Sequence, residues 1–369
     1  MKIFVDGYLL NKEHQGTKTY IKELYKEFAK QNPDFLIYIA CFKDNVLENE
    51  FKDFLNIKFL YFKNTKRVFR MLFEIPKIIA KYNFDYAHFQ YVLPFSRTKK
   101  CKYIVTIHDI LFNDFKEYFS NFYQIKRNFL FKYSAKTADI LLTVSSYSKE
   151  RICKLYKVKE EKVFITPNGV NNAFLEIYNK KTAIDYIYKK YKVNNYILYV
   201  SRIEPRKNQQ LLLKVLPQLE QQDVKLVFIG FKTIANKILD KEYKALPSKL
   251  KKNVFFFDKI SDQDLIEFYK AAKLFVYPTF AEGFGIPPLE AAALKIPVIC
   301  SNSTAMQDFS FFKPYLINVN NTALLVEKIS EVLIDTNQKH LEQVQTEIRK
   351  HYTWVEVSRT FLRILEENK

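Results

Sequence analysis

Leu274-Phe-Val-Tyr-Pro-Thr-Phe-Ala-Glu282-Gly-Phe-Gly-Ile-Pro-Pro-Leu-Glu290 is the stretch from which the architecture can be read. Its first four residues are an apolar, strand-forming run that Pro278 stops. A glycine loop follows, and Pro287-Pro288 suits the first turn of a helix running to Leu294. Strand, glycine turn and helix in that succession mark a doubly wound α/β sheet, in which loops after strands form the binding crevice. The helix start offers free N–H groups and positive dipole charge, a place for phosphate. Glu290 falls at about the first turn beside that ligand, and Glu282 lies on the loop before it. A carboxylate near a phosphate is useful if it accepts hydrogen bonds from hydroxyls, which sugars and ribose supply. Two carboxylates flanking the helix end therefore suggest a sugar-nucleotide. The simpler alternative makes Glu290 a dipole-matching acid and leaves Glu282 solvated.

The same pattern extends in both directions. Strands are expected at Lys2 to Val5, Phe35 to Ala40, Tyr86 to Phe89, Tyr103 to Ile107, Ile140 to Val144 and Val163 to Thr166. A second series follows at Tyr196 to Val200, Lys225 to Ile229, Asn253 to Phe257, Leu274 to Tyr277, Pro297 to Cys300 and Tyr315 to Asn318, with amphipathic stretches between. A length of 369 residues suits two such domains. The expected division is 1–175 and 176–352, with a last helix over 353–369 packing back on the first domain and a cleft between the two. Only six glycines occur, where average usage of about 7% would give about 26. All six fall at turns or strand ends: Gly7, Gly16, Gly169, Gly230, Gly283 and Gly285. Turn formation explains any one of them; close approach of backbone to a ligand explains the set.

Two further constellations stand at strand ends. Ser201-Arg202-Ile-Glu-Pro-Arg-Lys207-Asn208 follows a buried run and aims fixed positive charge at the crevice, as a diphosphate requires. Thr106-Ile-His108-Asp109 ends another. There a histidine could contact substrate, and a His-Asp pair equally suits loop backbone.

The motifs Glu282-x7-Glu290, Arg202 to Asn208, His108-Asp109, Val144-Ser-Ser146 and Pro167-Asn168-Gly-Val170 occur in the order found in family 4 glycosyltransferases of the GT-B fold, and the sequence resembles that family from Met1 to Tyr352-Thr-Trp354. The resemblance implies two Rossmann-like domains facing each other across a cleft. It implies that Glu282 lies beside donor sugar hydroxyls, that Glu290 holds the ribose, and that Arg202 and Lys207 stabilise the departing diphosphate. The backbone of Gly283, Phe284 and Gly285 would approach the sugar; Gly16 and Asn168 would face the same pocket, and His108 would contact the transferred sugar. Phe257 to Ser261 would border the base. The chemistry implied is transfer with retention of anomeric configuration and no metal or other cofactor, the donor being a GDP- or UDP-sugar. The sequence departs from the family pattern at Ser201, where glycine is usual, at Gly16-Thr-Lys-Thr19, which lacks a second glycine, at Leu294-Lys-Ile-Pro297 and at Gln307-Asp308.

Composition bears on partners. The formal charge is +19, and residues 1–175 hold 30 Lys and Arg against 18 Asp and Glu, so an anionic surface or substrate is expected. Phe62 to Lys81 carries Lys63, Lys66, Arg67, Arg70, Lys77 and Lys81 among Phe69, Met71, Leu72, Phe73 and Ile78. Such a stretch can lie on anionic lipid, and it also suits a solvated helix face. With the family resemblance, it implies a glycan or lipid-linked acceptor in lipopolysaccharide, O-antigen or capsule synthesis, handled in the cytoplasm or peripherally at the inner face of the cytoplasmic membrane. The four cysteines are scattered, without zinc spacing or a disulfide framework. The N-terminus shows no signal peptide and no run reaches a membrane span. Two rival classes remain open: a GT-B epimerase or inactive partner subunit, and a nucleic-acid-binding protein. The second lacks any binding motif, so no nucleic acid partner is expected.

Overall fold

The computed structural model describes residues 1–11, 16–232 and 234–369, with the backbone alone at 118. The chain forms two compact units, Met1–Gly169 with Trp354–Lys369, and Val170–Thr353.

The first unit holds seven strands: β1 Lys2–Asp6, β2 Leu36–Cys41, β3 Ile57–Tyr61, β4 Tyr86–Gln90, β5 Lys102–Thr106, β6 Ile140–Thr143 and β7 Val163–Ile165. All pair in parallel, in the order β3-β2-β1-β4-β5-β6-β7. The second unit holds six: β8 Tyr196–Val200, β9 Lys225–Ile229, β10 Val254–Phe257, β11 Leu274–Tyr277, β12 Val298–Ser301 and β13 Leu316–Ile317. These too are parallel, ordered β10-β9-β8-β11-β12-β13. In each sheet the winding reverses beside the unit's first strand, between β1 and β4 and between β8 and β11. That reversal opens a crevice at the strands' carboxyl ends.

Strands such as β1 and β11 are apolar on both faces because helices cover both. Ile3, Phe4 and Val5 of β1 and Phe275 and Val276 of β11 are fully buried. The last helix, Trp354–Glu367, lies with the first unit: Phe361 packs against Tyr25 and Phe28, and the Tyr86 hydroxyl donates to the Leu365 carbonyl at 3.0 Å.

Three details differ from expectation. The first unit ends at Gly169 instead of 175, because the turn Asn172–Phe174 belongs to the second: the Phe174 ring meets Tyr269 edge-on, centroids 5.3 Å apart. Strand β3 was not anticipated. Its Ile57-Lys-Phe-Leu-Tyr61 is only half-buried, as befits an edge strand carrying a lysine. Arg70 is not a surface cation of the basic stretch. It is 1% exposed, its guanidinium lies 4.3 Å from the Tyr8 ring centroid and near Phe42 and Phe62, and it donates to the carbonyls of Asn64 and Thr65.

Candidate active site

In the second unit the loops after β8 and β11, neighbours at the reversal, are stitched together. The Phe280 amide donates to the Arg206 carbonyl at 2.9 Å, and the Asn208 side-chain amide donates to the Pro278 carbonyl at 2.9 Å. These bonds hold side chains of opposite charge within reach.

The centre of the arrangement is Glu282, 7% exposed. Its Oε1 pairs with the Lys207 ammonium and accepts from the Tyr277 hydroxyl at 2.7 Å. Its Oε2 lies 3.6 Å from the Arg206 guanidinium. The Tyr277 oxygen also accepts from Lys207 at 3.2 Å, and the Glu282 amide donates to Thr304 Oγ1 at 2.8 Å. Burial alone would raise the Glu282 carboxyl; Lys207 and Arg206 outweigh it and hold the group below the usual glutamate value. Burial pulls the Lys207 ammonium below the lysine norm, with Glu282 opposing. The pair is thus ionised and enclosed, and the attraction between its members offsets their loss of water only while both remain.

Gly285, at φ +105°, precedes the Ile286–Ala293 helix, and a Cβ there would come within 2.5 Å of Met306 Sδ. Only glycine fits this turn. Glu290 is the fifth residue of that helix, just past the first turn where it was expected, because the helix begins at Ile286, one residue before the prolines. It accepts from the Tyr269 hydroxyl at 2.8 Å, and burial raises it to about 7 despite that bond.

In the first unit His108 follows β5, 7% exposed. Its Nε2 bonds Gln90 Oε1 at 2.8 Å, and its ring lies edge-on to Tyr20 at 4.9 Å. Burial pushes it down to about 3, so it is neutral in the physiological range. Asp109 accepts from the Leu111 amide at 3.1 Å, shaping the loop.

Residues 14–174 match the model of Glycosyltransferase Family 4, and residues 180–351 that of Glycosyl transferases group 1. The chain belongs to the family 4 glycosyltransferases. Relatives of this glycosyltransferase include the O-antigen chain mannosyltransferase RfbU of Salmonella typhimurium, 31% identical over 251 residues, covering 68% of this chain and 64% of that one. O-antigen chain mannosyltransferase B of Escherichia coli is 29% identical over 181 residues, 47% of this chain and 46% of that one. The chain therefore spans less than two-thirds of the length of either relative. Its fold is similar to that of a glycosyltransferase from Rickettsia africae, with TM-score 0.74 and 20% identity over 100% of this chain and 98% of the other. Anabaena HepE, solved in complex with UDP-glucose, gives a TM-score of 0.75 at 16% identity over 100% of both chains. These likenesses identify the GT-B fold of two Rossmann-like domains.

The glycosyltransferase brings Lys207 and Glu282 together, with Gly283, Phe284 and Gly285 on the loop that follows. The Phe284 ring itself turns to the core against Phe309, 5.4 Å away. Arg202 stands apart. Half-exposed, it pairs with Glu204 at 3.1 Å, and Glu204 also binds Arg206 at 3.0 Å. Glu282 is not solvated, contrary to the simpler alternative. Gly16 is the first residue of the Gly16–Gln31 helix, and a Cβ there would meet none of the described residues within 4 Å. Asn168 is 5% exposed and its Oδ1 has no hydrogen-bond partner among the described residues. Gln90, Glu204, Arg206 and Tyr277 escaped the sequence reading. Arg206 carried a signal, since it shares the basic loop with Lys207; Tyr277 looked like one more apolar strand residue. Among the described residues no cluster of His, Cys, Asp or Glu could hold a metal ion, and no helix is long and apolar enough to cross a membrane.

Proposed function

We propose that this glycosyltransferase moves a sugar, mannose, from a GDP- or UDP-sugar to a glycan or lipid-linked acceptor in surface-polysaccharide synthesis, with retention and without metal. The observation that carries the reading is the enclosed Lys207–Glu282 pair with Arg206 beside it. A buried ammonium held by an exchangeable carboxylate is poised to change partner. A diphosphate arriving beside Lys207 and Arg206 offers denser negative charge, which frees Glu282 to accept from sugar hydroxyls. Cationic side chains then meet the charge that develops on the leaving group, the part a divalent ion plays elsewhere. Arg202 and Glu290 complete the donor contacts, to diphosphate and ribose. The mannosyl assignment is supported by the printed activities of the O-antigen relatives, and the nucleotide class by the UDP-glucose held by HepE.

Membrane proximity is part of the same proposal. Val68, Phe69, Leu72 and Phe73 are exposed next to Lys66, Arg67 and Lys77, a combination suited to the anionic inner face of the cytoplasmic membrane.

The test is a thermal-shift screen of the purified chain against UDP, GDP, ADP, CMP and their sugars in EDTA, followed by proton NMR of the glycoside formed. A ligand at about 100 times its Kd adds about 2.7 kcal/mol to stability, so one diphosphate should stand out. No stabilisation by any nucleotide, or a product of inverted anomeric configuration, rejects the proposal.

A further inference from the structure

Behind His108 runs a row of buried polar side chains. Gln90 closes β4, and its Oε1 meets His108 Nε2 at 2.8 Å. The other end of the same amide, Nε2, lies 3.3 Å from His88 Nε2, which also meets Thr106 Oγ1 at 2.7 Å. His88 Nδ1 in turn meets the Tyr25 hydroxyl at 2.7 Å. Tyr25 and His88 are fully buried, Gln90 is 4% exposed, and Phe361 of the last helix stacks on the His88 ring at 5.6 Å and 27°. The sheet pleat puts residues 88 and 90 on one face of β4, so two polar side chains occupy a core position where apolar residues are usual. A buried polar row is costly unless every member is satisfied.

The row has directional content. A neutral imidazole owns one N–H and one lone pair. A carbonyl oxygen can only accept, so His108 Nε2 carries the hydrogen and Nδ1 keeps the lone pair. An amide nitrogen can only donate, so His88 Nε2 is an acceptor and its Nδ1–H donates to Tyr25. One amide thereby sets both rings, and turning it over would reverse both.

We propose that Gln90, backed by His88 and Tyr25, is a positioning residue that holds His108 as the Nε2–H tautomer and so presents Nδ1 as the acceptor for a hydroxyl of the transferred sugar. The sugar contact rests on the function proposed above; the tautomer does not. A ring free to exchange tautomers would spend part of its time with a hydrogen facing a hydroxyl donor, and the contact would weaken accordingly.

The experiment is nitrogen NMR of the full chain carrying 15N-histidine, with His108 assigned by difference from His108→Ala. The expected spectrum has a pyrrole-type Nε2 and a pyridine-type Nδ1 for His108, unchanged between pH 5.5 and 8, as its depressed pKa requires. Gln90→Met keeps the volume and removes the amide. It is expected to give averaged His108 nitrogens and to lower kcat/KM for donor about tenfold, and Gln90→Glu, whose carboxylate can only accept, is expected to restore a single tautomer. An Nδ1–H tautomer in the parent protein overturns the proposal without recourse to any variant, as do ring signals indifferent to Gln90→Met. This readout needs no substrate. Its failure therefore leaves the transferase reading standing, whereas the expected tautomer in a chain that turns over no sugar-nucleotide overturns the sugar contact alone.

Discussion

In the first unit a row runs from His108 and Gln90, at the carboxyl ends of central strands, through His88 of β4 to Tyr25 of the Gly16–Gln31 helix, joined by hydrogen bonds between uncharged groups. At the corresponding ends in the second unit, Lys207, Arg206 and Glu282 are joined by full charges. The two sheets wind in the same order, so topology did not choose the chemistry. The side chains placed on and around those strand ends did. A neutral row can orient a ligand but offers little to an anion; an enclosed ion pair can hold an anion but must give up an internal partner to do so. On the function proposed, the first arrangement suits hydroxyls and the second a diphosphate.

The comparison is most easily broken through the ion pair. Lys207→Met strands a buried carboxylate, and the cost expected is about 3–5 kcal/mol of stability together with lost nucleotide binding. The double variant Lys207→Met/Glu282→Leu should unfold at higher urea than Lys207→Met alone. Equal midpoints would mean that the pair is not enclosed in solution. Next in size is Gly285→Ala, expected to cost about 1–3 kcal/mol because both the backbone angle and Met306 oppose a side chain; a midpoint shift in urea reports it.

Acid and alkali should separate the units. His88 and His108 are both depressed to about 3 by burial, with mutual repulsion adding to the effect on His88, so the unfolded state binds more protons between there and the usual 6.5. Stability from the first unit is complete above 6.5 and lost as pH falls. Glu290 is raised to about 7 from 4.5, so the folded state binds the extra proton. Its contribution is complete below 4.5 and lost as pH rises through about 7. Hydrogen exchange followed unit by unit should give opposite slopes, and Glu290→Gln should flatten the second alone. If Glu290 holds the ribose as proposed, nucleotide affinity should by the same linkage rise with pH through about 7, because the carboxylate form is the one that accepts from a hydroxyl. The smallest effect expected is Gly16→Ala, a gain of about 0.4–1 kcal/mol from restricting the unfolded chain at a helix start that none of the described residues crowds.

Much of the architecture was legible because apolar runs such as Tyr196 to Val200 and Leu274 to Tyr277 leave a central strand no other role; of the glycines, Gly169 and Gly230 answer to internal packing, against Trp354 and the Ser201 backbone. β3 was not, since an edge strand needs only one apolar face. In the site, motif spacing pointed to Lys207 and Glu282. It could not show that they bind each other, because their meeting depends on β8 and β11 being neighbours, a matter of sheet order. Gln90 and His88 were illegible for a similar reason: alternate positions on a buried strand look the same whether they carry a network or a flaw. Arg70 misled because charge patterning counts a cation without asking which way it faces.

Gly230 closes β9 at φ +146°, and a Cβ there would run into the backbone carbonyl of Ser201, the residue before Arg202. The family pattern has a glycine at the serine's own position; here the missing side chain is on the neighbouring strand. The obstacle is main chain, so only the absence of a side chain at 230 provides the space. A search that insists on glycine at 201 would discard this protein. Glycine placed at 201 would leave that carbonyl where it is, so position 230 would still admit no side chain.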